Sequence, residues 1–360
     1  MSGKIMAWAE RNRRKIQIAG LAMAFATSLS FVFFREVMVQ DGARVDSDDI
    51  IAMVRGEVPM LDDHYEMAGK AYQLFGVIDS PWVVGIVAVC LMSGVILWLN
   101  RGKKRVAWGV WGIEMVAILL TGYYLGALSK DLFELIIVTF GSLLLLKLVK
   151  NKFVVVGGMA VLMLGFAGFI RPYWAVIAGL FVGTTIVLCL LQKQRLWAMA
   201  GIAGMAIVGA VVGYWILKGE DISVIRQMIN STTNLADTRL WGVLPSGNVF
   251  SGVVNSLLIF LGFFVPVRLF LLGSGFYFLA GVCFMVLFGY FFAWLWRTRE
   301  QKFDYKLTAV LALLVAYLVV SSLFEPDYSS FLRHLTPMLP FMVFCFNYDL
   351  PKRLGDEKGQ

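Results

Sequence analysis

Long apolar runs recur along almost the whole chain, and no other feature of the sequence constrains the fold as strongly. They begin at Ile16 and continue nearly to the end of the 360 residues. Their length matches the roughly 17–25 residues that a helix needs to cross about 30 Å of hydrocarbon, whereas barrel strands would alternate apolar and polar residues. The sequence, 59% hydrophobic, therefore predicts an all-α fold: a polytopic membrane helical bundle that forms a single domain over residues 1–360.

The pattern predicts about ten transmembrane helices and one apolar helix that does not cross. The segment 251–273 contains Pro266 and Arg268, and a crossing there would place the basic stretch 297–306 outside. We therefore predict a re-entrant or interfacial helix at this position. The predicted spans are 16–35, 81–99, 107–128, 131–148, 153–170, 173–191, 196–217, 272–296, 306–324 and 332–348.

The distribution of charge predicts the orientation of these spans. With the N-terminus inside, roughly two thirds of the 32 lysines and arginines fall in short cytoplasmic segments, while most acids fall on the other side. The net charge of +8 is therefore a topology signal, and no nucleic-acid-binding motif accompanies it. We predict cytoplasmic termini and two long outer loops, 36–80 and 218–271.

Several kinds of chemistry are not expected from this chain. The cytoplasmic loops are short and contain no glycine-rich phosphate loop, which argues against ATP-driven transport by this chain alone. The four cysteines lie singly in apolar runs, which is typical of small core residues and not of disulfides or a metal set. We expect no cofactor and no metal, and we expect any chemistry to face the outer loops.

The first outer loop contains a short predicted helix with acids at its start. Asp62, Asp63 and Glu66 cluster there, and one interpretation is helix capping together with a Glu66–Lys70 pair. The other interpretation makes Asp63, or Asp62, a general base that faces a sugar hydroxyl. One face of this helix is predicted to lie on the bilayer surface; it consists of Tyr65, Ala68, Tyr72 and Phe75.

Basic residues recur at or near the predicted outer ends of the spans. Each arginine there can snorkel or pair with an acid. Together they could instead surround one cavity, and because guanidinium binds phosphate with two parallel hydrogen bonds, such a set suits a pyrophosphate. The candidates at the span ends and in the second outer loop are Lys130, Arg171, Arg226, Arg239, Arg268 and Arg333.

The stretch 324–340, FEPDYSSFLRHLTPMLP, combines two acids with Arg333 and His334. Histidine changes its charge closest to neutral pH, so His334 is a candidate general base. The alternative is a salt-bridged turn in which Glu325 and Asp327 pair with Arg333. Because successive helical residues point about 100° apart, Arg333 and His334 need not both face a site.

Glu114 is the one carboxylate in the interior of a predicted span, away from its ends. Intramembrane acids often serve a function, and a proton-coupled carrier would use one. The other interpretation is a carboxyl group that is protonated or hydrogen-bonded to a neighbouring helix.

The sequence resembles the Wzy-type polymerases of O-antigen and exopolysaccharide assembly. The resemblance rests on SKDLFELI at 129–136, FIRPYW at 169–174, the helical second outer loop and the stretch 324–340. The region around Asp62 is also similar to the acidic first outer loop of lipid-linked GT-C glycosyltransferases. The resemblance implies a multi-pass protein of the bacterial inner membrane with a periplasmic active face.

The resemblance further implies glycosyl transfer between two saccharides linked to polyprenyl pyrophosphate, in which the growing chain leaves its carrier and joins the next repeat unit. The family pattern carries over to Lys130, Arg171, Arg333 and His334, with His334 as catalytic base and the other three as pyrophosphate contacts. Phosphate contacts at Arg226 and Arg239 and a catalytic role for Asp63 rest on chemistry and loop position. The second outer loop is short of aromatic residues, so acceptor recognition is assigned to Tyr65, Tyr72 or Trp174.

The expected partners are a polyprenyl-pyrophosphate-linked oligosaccharide, the lipid bilayer, a chain-length regulator and a flippase, and no nucleic acid. Two other functions stay open. One is a GT-C transferase that uses a polyprenyl-monophosphate sugar, and the other is a non-enzymatic flippase or transporter of lipid-linked sugars.

Overall fold

A computed structural model describes residue 8 and residues 10–57, 63–103, 106–192, 195–224, 226, 238–240 and 242–349, without the side chains of residues 63, 64 and 276. Within these ranges the chain is helical and contains no strand, and the one β-type contact is an isolated bridge between Arg239 and Asp327. The all-α prediction is confirmed for the described residues.

The described α-helices follow the apolar runs of the sequence and are numbered here in chain order. They are α1 (Arg13–Phe33), α2 (Arg35–Met38), α3 (Asp41–Val54), α4 (Asp63–Leu74), α5 (Pro81–Leu99), α6 (Trp108–Tyr124), α7 (Lys130–Phe133), α8 (Gly141–Leu148), α9 (Lys152–Phe169), α10 (Trp174–Leu190), α11 (Arg195–Lys218), α12 (Val249–Phe264), α13 (Val267–Leu271), α14 (Gly275–Arg297), α15 (Tyr305–Phe324), α16 (Tyr328–Leu335) and α17 (Leu339–Asn347).

Six of the described helices are long and apolar enough to cross a membrane: α1, α5, α9, α11, α14 and α15. The apolar helices α10 and α12 are shorter. A helix or a continuous helical run lies over every one of the predicted spans. The count of about ten crossings stays a prediction, because the remaining segments are shorter or contain non-α turns.

Two helical runs contain such turns. A π-helix, Glu134–Phe140, joins α7 to α8, and a 3₁₀ turn, Thr336–Met338, joins α16 to α17. The hydroxyl of Thr139, at the end of the π-helix, donates a hydrogen bond to the carbonyl of Pro337 over 2.8 Å. Single π-turns within helices are rare and occur frequently at functional sites.

The chain forms two compact units. The first comprises residues 1–141 and 333–347, and the second comprises 142–332 and 348–360. In the first unit α1 packs on α6. The two helices approach closely at Gly122, where any side chain would collide with the backbone of Ser28. In the second unit α15 is central: residues 307–323 are all buried, and the helix packs against α9, α10, α11 and α12.

The predicted non-crossing segment 251–273 forms α12 and α13, which are separated at Val265–Pro266. Proline lacks the backbone N–H that would continue the helix. At its start α12 has a capping box, in which Asn248 and Ser251 each accept from the other's backbone N–H. At about 1.5 Å per residue, the 16 residues of α12 fall short of a bilayer core.

The helix of the first outer loop, α4, lies differently from the prediction. Ala68 and Tyr72 are buried, and α4 packs on α3 within the first unit. The predicted bilayer-surface position is therefore wrong for these two residues, because a protein neighbour covers their face. The Glu66–Lys70 pair is confirmed.

Candidate functional site

The first unit contains a buried group of ionisable side chains from four helices. Asp131 is fully buried, and Asp46, His334 and Lys130 are exposed by less than a tenth. Burying so many charges is costly unless they neutralise one another. We call the group the acid–arginine cluster; it consists of Asp46, Tyr65, Lys130, Asp131, Arg333 and His334.

Asp46 enters the cluster from α3. The buried residues of α3 follow the three- and four-residue steps of one helix face, and Asp46 occupies one of these inward positions between Ala43 and Ile50. The hydroxyl of Tyr65 donates a hydrogen bond to Asp46 Oδ1 over 2.8 Å. An acid on the buried face of α3 was the signal that could have identified Asp46 from the sequence.

Asp131 is held in place by a tight turn at the start of α7. Ser129 is the N-cap of this helix: its hydroxyl accepts from the backbone N–H of Asp131 and lies 3.1 Å from Asp131 Oδ2. The hydroxyl of Tyr72 donates to the carbonyl of Ser129 over 2.7 Å and accepts from its N–H over 3.2 Å. Burial raises the pKa of Tyr72, which therefore stays neutral.

Arg333 connects the two acids. Its Nη1 lies 3.1 Å from Asp46 Oδ1, and its Nε lies 3.5 Å from Asp131 Oδ2. The Asp46 and Asp131 carboxylates are partners that the sequence did not suggest, and the pairing of Arg333 with Glu325 and Asp327 stays a prediction. Carboxylates at these distances offset part of the cost of removing the arginine charge from water.

His334 reaches the same acid as Arg333. Its Nε2 lies 3.7 Å from Asp131 Oδ1 and 3.4 Å from Arg333 Nη2. Because a guanidinium only donates, Nε2 accepts from Arg333 when it carries no proton. A proton on Nε2 would be stabilised by the Asp131 carboxylate. The other ring nitrogen, Nδ1, would then be the one able to act as a general base.

Lys130 completes the cluster. Its Nζ lies 3.2 Å from the centre of the Tyr65 ring, within the range of a cation–π contact. The same tyrosine therefore contacts both a cation and, through its hydroxyl, the Asp46 carboxylate. Lys130 and Arg333 together balance the charges of Asp46 and Asp131.

Arg226 in the second unit has different partners. It is 3% exposed, and its Nε and Nη2 donate to backbone carbonyls at the C-terminal end of α15. The distances are 2.6 Å to Ser322, 3.0 Å to Leu323 and 3.0 Å to Glu325. These carbonyls have no partner within the helix, so Arg226 acts as a cap. Burial lowers its pKa to about 10, and the side chain stays charged at neutral pH.

Arg239 lies beside the turn that follows α15. It forms the isolated bridge with Asp327, and its neighbour Leu240 donates a backbone hydrogen bond to Pro326 over 2.7 Å. Asp327 in turn accepts from the backbone N–H and the hydroxyl of Ser330. These backbone contacts order the acid-rich turn.

The other predicted residues have the following positions. Arg171 is buried and donates to the hydroxyl of Tyr173 over 2.8 Å. The structure brings Lys130, Arg333 and His334 together in the first unit, while Arg171, Arg226 and Arg239 belong to the second. Helix α4 begins at Asp63, but the side chain of Asp63 lies outside the described part of the chain.

Two of the aromatic residues predicted to contact the acceptor have closed surroundings. Trp174 is completely buried against Phe166, and Tyr72 is buried against Ser129. Neither ring is exposed in this structure, because each side chain packs inside its own unit. A role for these two residues in acceptor recognition stays a prediction.

Glu114 is fully buried in the first unit, and the structure favours the hydrogen-bonded interpretation. Asn100 Nδ2 donates to Glu114 Oε1 over 3.0 Å, and Asn347 Nδ2 donates to Asn100 Oδ1 over 2.6 Å. The carboxyl group thus ends a chain of amides from α17 and the end of α5. Among the described side chains, no group of three histidines, cysteines or acids could hold a metal ion.

No protein-family model matches the chain, and neither a curated protein nor a solved structure matches it. The candidate site therefore rests on the geometry of its own residues.

Proposed function

We propose that the chain is a glycosyltransferase of the bacterial inner membrane, with about ten transmembrane helices, that polymerises lipid-linked oligosaccharide repeat units at the periplasmic face. The donor is a glycan on polyprenyl pyrophosphate, and the acceptor is a sugar hydroxyl of the next lipid-linked unit. The observation that carries the proposal is the acid–arginine cluster, in which Arg333 and His334 converge on the buried carboxylate of Asp131.

A chain that only had to span a bilayer would have no need for such a group. Buried ion pairs seldom increase stability over apolar residues of the same volume, because desolvation offsets the attraction. Ionisable residues among membrane helices are therefore functional candidates by default. The π-helix that follows α7 supports the same interpretation, since such turns are enriched at functional sites.

In the proposed reaction, neutral His334 carries its proton on Nε2, towards Asp131, and its other ring nitrogen, Nδ1, takes the proton of the acceptor hydroxyl while the hydroxyl oxygen forms a bond to the anomeric carbon of the donor. The bond between that carbon and the pyrophosphate oxygen breaks, and the electron pair leaves with the pyrophosphate. Arg333 and Lys130 stabilise the departing charge without a metal. Asp131 orients His334 and stabilises its protonated form, and the proton then passes to solvent or to the product phosphate.

The remaining predicted residues have weaker support as phosphate contacts. Arg226 spends two of its nitrogens on helix-end carbonyls, which favours a structural role. Arg171 and Arg239 remain candidate phosphate contacts, and Asp63 remains an alternative base. A transferase that uses a polyprenyl-monophosphate donor would use the same base and cation, and it would differ in adding one sugar per reaction.

The test is a reconstitution of the purified full-length protein with lipid-pyrophosphate-linked repeat units. We expect the wild type to produce a ladder of lengthened lipid-linked glycans. We expect His334→Gln to lose roughly 100-fold or more in rate, the usual contribution of general-base catalysis. The control is Arg55→Lys, which alters an exposed ion pair of the same unit and should leave the ladder unchanged.

Thermal unfolding of each variant separates a loss of chemistry from a loss of folding. A His334→Gln variant that unfolds like the wild type and still makes the full ladder would refute the proposed base. A wild type that is inactive on pyrophosphate donors and adds a single sugar from a monophosphate donor would identify the other transferase. Movement of intact lipid-linked units between leaflets, abolished by Glu114→Gln, would identify a transporter instead.

A further inference from the structure

A polar cleft in the second unit has the composition of a sugar-binding site, and we propose that it binds one neutral sugar ring of the glycan substrate. The cleft has a volume of about 260 Å³ and lies where α11 ends. It is lined by Trp215, Gly219, Glu220, Asp221, Val224, Ser246 and Gly247. The identity of the sugar as a glycan substrate rests on the proposed function, whereas sugar binding itself does not.

One wall of the cleft is the last turn of α11. The backbone N–H of Gly219 donates to the carbonyl of Trp215 over 2.8 Å, which closes the helix. Gly219 then adopts a φ of +70°, a conformation that glycine adopts without strain. The chain turns sharply at this point, and the half-buried ring of Trp215 is left beside the cleft.

The opposite wall is the turn before α12, and Asp221 ties the two walls together. Asp221 is buried; its Oδ1 accepts from Ser223 N–H over 3.0 Å, and its Oδ2 accepts from Gly247 N–H over 3.4 Å. The capping box of α12 holds the next residue, Asn248. The cleft is therefore preformed, and a ligand would not have to order it.

The lining combines an aromatic ring with polar groups. The apolar C–H face of a pyranose packs on an indole ring, and its hydroxyls find partners in the exposed Glu220 carboxylate and the Ser246 hydroxyl. The volume of the cleft is slightly below roughly 300 Å³, the lower end of the usual range for small-molecule sites. A cleft of this size suits one sugar ring and excludes a long lipid chain.

A cationic ligand is the competing chemistry, since an indole ring with carboxylates also attracts ammonium groups. The structure favours a neutral sugar for a specific reason. Both carboxylate oxygens of Asp221 already accept backbone N–H groups, which leaves fewer of their lone pairs for a cation. Glu220 is exposed to solvent, where its attraction for a cation is screened.

The site was not foreseen from the sequence because Trp215 precedes the second outer loop. Trp215 lies at the end of the predicted span 196–217, where an aromatic residue is typical of a membrane helix, and Trp241 of the second outer loop lies outside the described residues. Helix α11 extends to Lys218 and brings Trp215 to the edge of the loop.

The experiment is saturation-transfer NMR on the full-length protein in a non-glycosidic detergent. The probes are N-acetylglucosamine, maltose and cellobiose, with choline as the cationic probe. We expect at least one sugar to bind, and Trp215→Ala to weaken its binding by roughly tenfold or more, the effect of losing one stacked ring. The matched control is Trp197→Ala, a 78% exposed tryptophan on the same helix, which should bind like the wild type.

A second variant covers the case in which Trp215→Ala fails to fold. Glu220→Lys alters an exposed side chain and should fold, yet it should weaken sugar binding several-fold. The proposal would be overturned if the wild type bound none of the sugars or bound only choline. It would also be overturned if both variants bound the sugars as well as the wild type does. Sugar binding by a protein that forms no glycan ladder would leave the cleft standing and refute the polymerase.

Discussion

Arg333 in the first unit is mostly buried and Arg226 in the second is fully so, and their partners distinguish a candidate site from a structural cap. Arg333 contacts the side-chain carboxylates of Asp46 and Asp131. Arg226 contacts only backbone carbonyls among its described hydrogen bonds. A helix end needs such a donor in any protein, whereas two buried acids around an arginine have no structural necessity. The groups that a buried arginine contacts therefore indicate its role better than its burial does.

The largest expected effect comes from removing the arginine of the cluster. Arg333→Met leaves two buried carboxylates without the guanidinium that contacts both of them, and breaking a buried pair in this way costs about 3–5 kcal/mol. Thermal or denaturant unfolding of the reconstituted protein measures the loss. The triple variant Arg333→Met, Asp46→Asn, Asp131→Asn should regain most of the stability and no transfer activity. If the triple variant regained activity, the cluster would be structural, and the contrast with Arg226 would disappear.

The next effect tests the other side of the comparison. Arg226→Ala leaves helix-end carbonyls of α15 without their donor, and each buried unsatisfied group costs about 1–3 kcal/mol. We expect a lower unfolding temperature, with the transfer rate per folded molecule unchanged. Activity is normalised to the folded fraction from size-exclusion chromatography. A stable Arg226→Ala protein with no activity would show instead that Arg226 contacts the substrate.

A smaller effect concerns the support of the cluster. Tyr72→Phe removes the hydroxyl that binds both the carbonyl and the N–H of Ser129, at an expected cost of about 1–2 kcal/mol. Because Ser129 positions Asp131, we also expect a reduced rate at saturating substrate. A matched control is Tyr305→Phe, which removes a hydroxyl that binds the backbone of Lys150 in the second unit. Equal rates for both variants would show that the Ser129 turn does not position Asp131.

The smallest effect concerns Asp49, on the same helix as Asp46. Burial, followed by the carboxylates of Asp46 and Asp48, raises the pKa of Asp49. The folded state then holds the proton more tightly than the unfolded state, so stability falls as the pH rises from below about 4 towards neutrality. Asp49→Asn should unfold at a slightly higher temperature than wild type at pH 7, by about a degree or less because the partly exposed carboxylate is screened by solvent.

The Asp49 difference should vanish below about pH 4, where both proteins are neutral at this position. Unfolding temperatures measured from about pH 3 to pH 8 test both parts of this prediction. An Asp49→Asn protein that is less stable than wild type at pH 7 would mean that the carboxylate has a favourable partner. In that case α3 would contribute a second carboxylate, besides Asp46, that stabilises the first unit.

The positions of the helices could be predicted because their causes are local. Apolar composition and the length of each run are read along the chain, and a helix or helical run lies over each predicted span. The break at Pro266 was predictable for the same reason, since proline acts on its own turn. The π-helix at Glu134–Phe140 was not, because no residue in ELIIVTF signals the change of helical pitch.

The composition of the site could be predicted only in part. Arg333 and His334 are adjacent in the sequence, and Lys130 lies beside Asp131, so each pair was visible as a charged exception among apolar residues. That Asp46 and Asp131 are the partners of Arg333, and that Arg226 caps α15, could not be read from the sequence. These partners are far apart along the chain or belong to the backbone, and backbone carbonyls leave no trace in a sequence.

The sequence by itself thus determined that this chain is a set of apolar helices with a few charged residues among them. The length of an apolar segment and the charges in it can be read from that segment alone. Only the tertiary structure decided which charges neutralise each other, which arginine binds a helix end, and that Trp215 lines a polar cleft. Those outcomes depend on contacts between distant segments, where a displacement of one helical turn would exchange one partner for another.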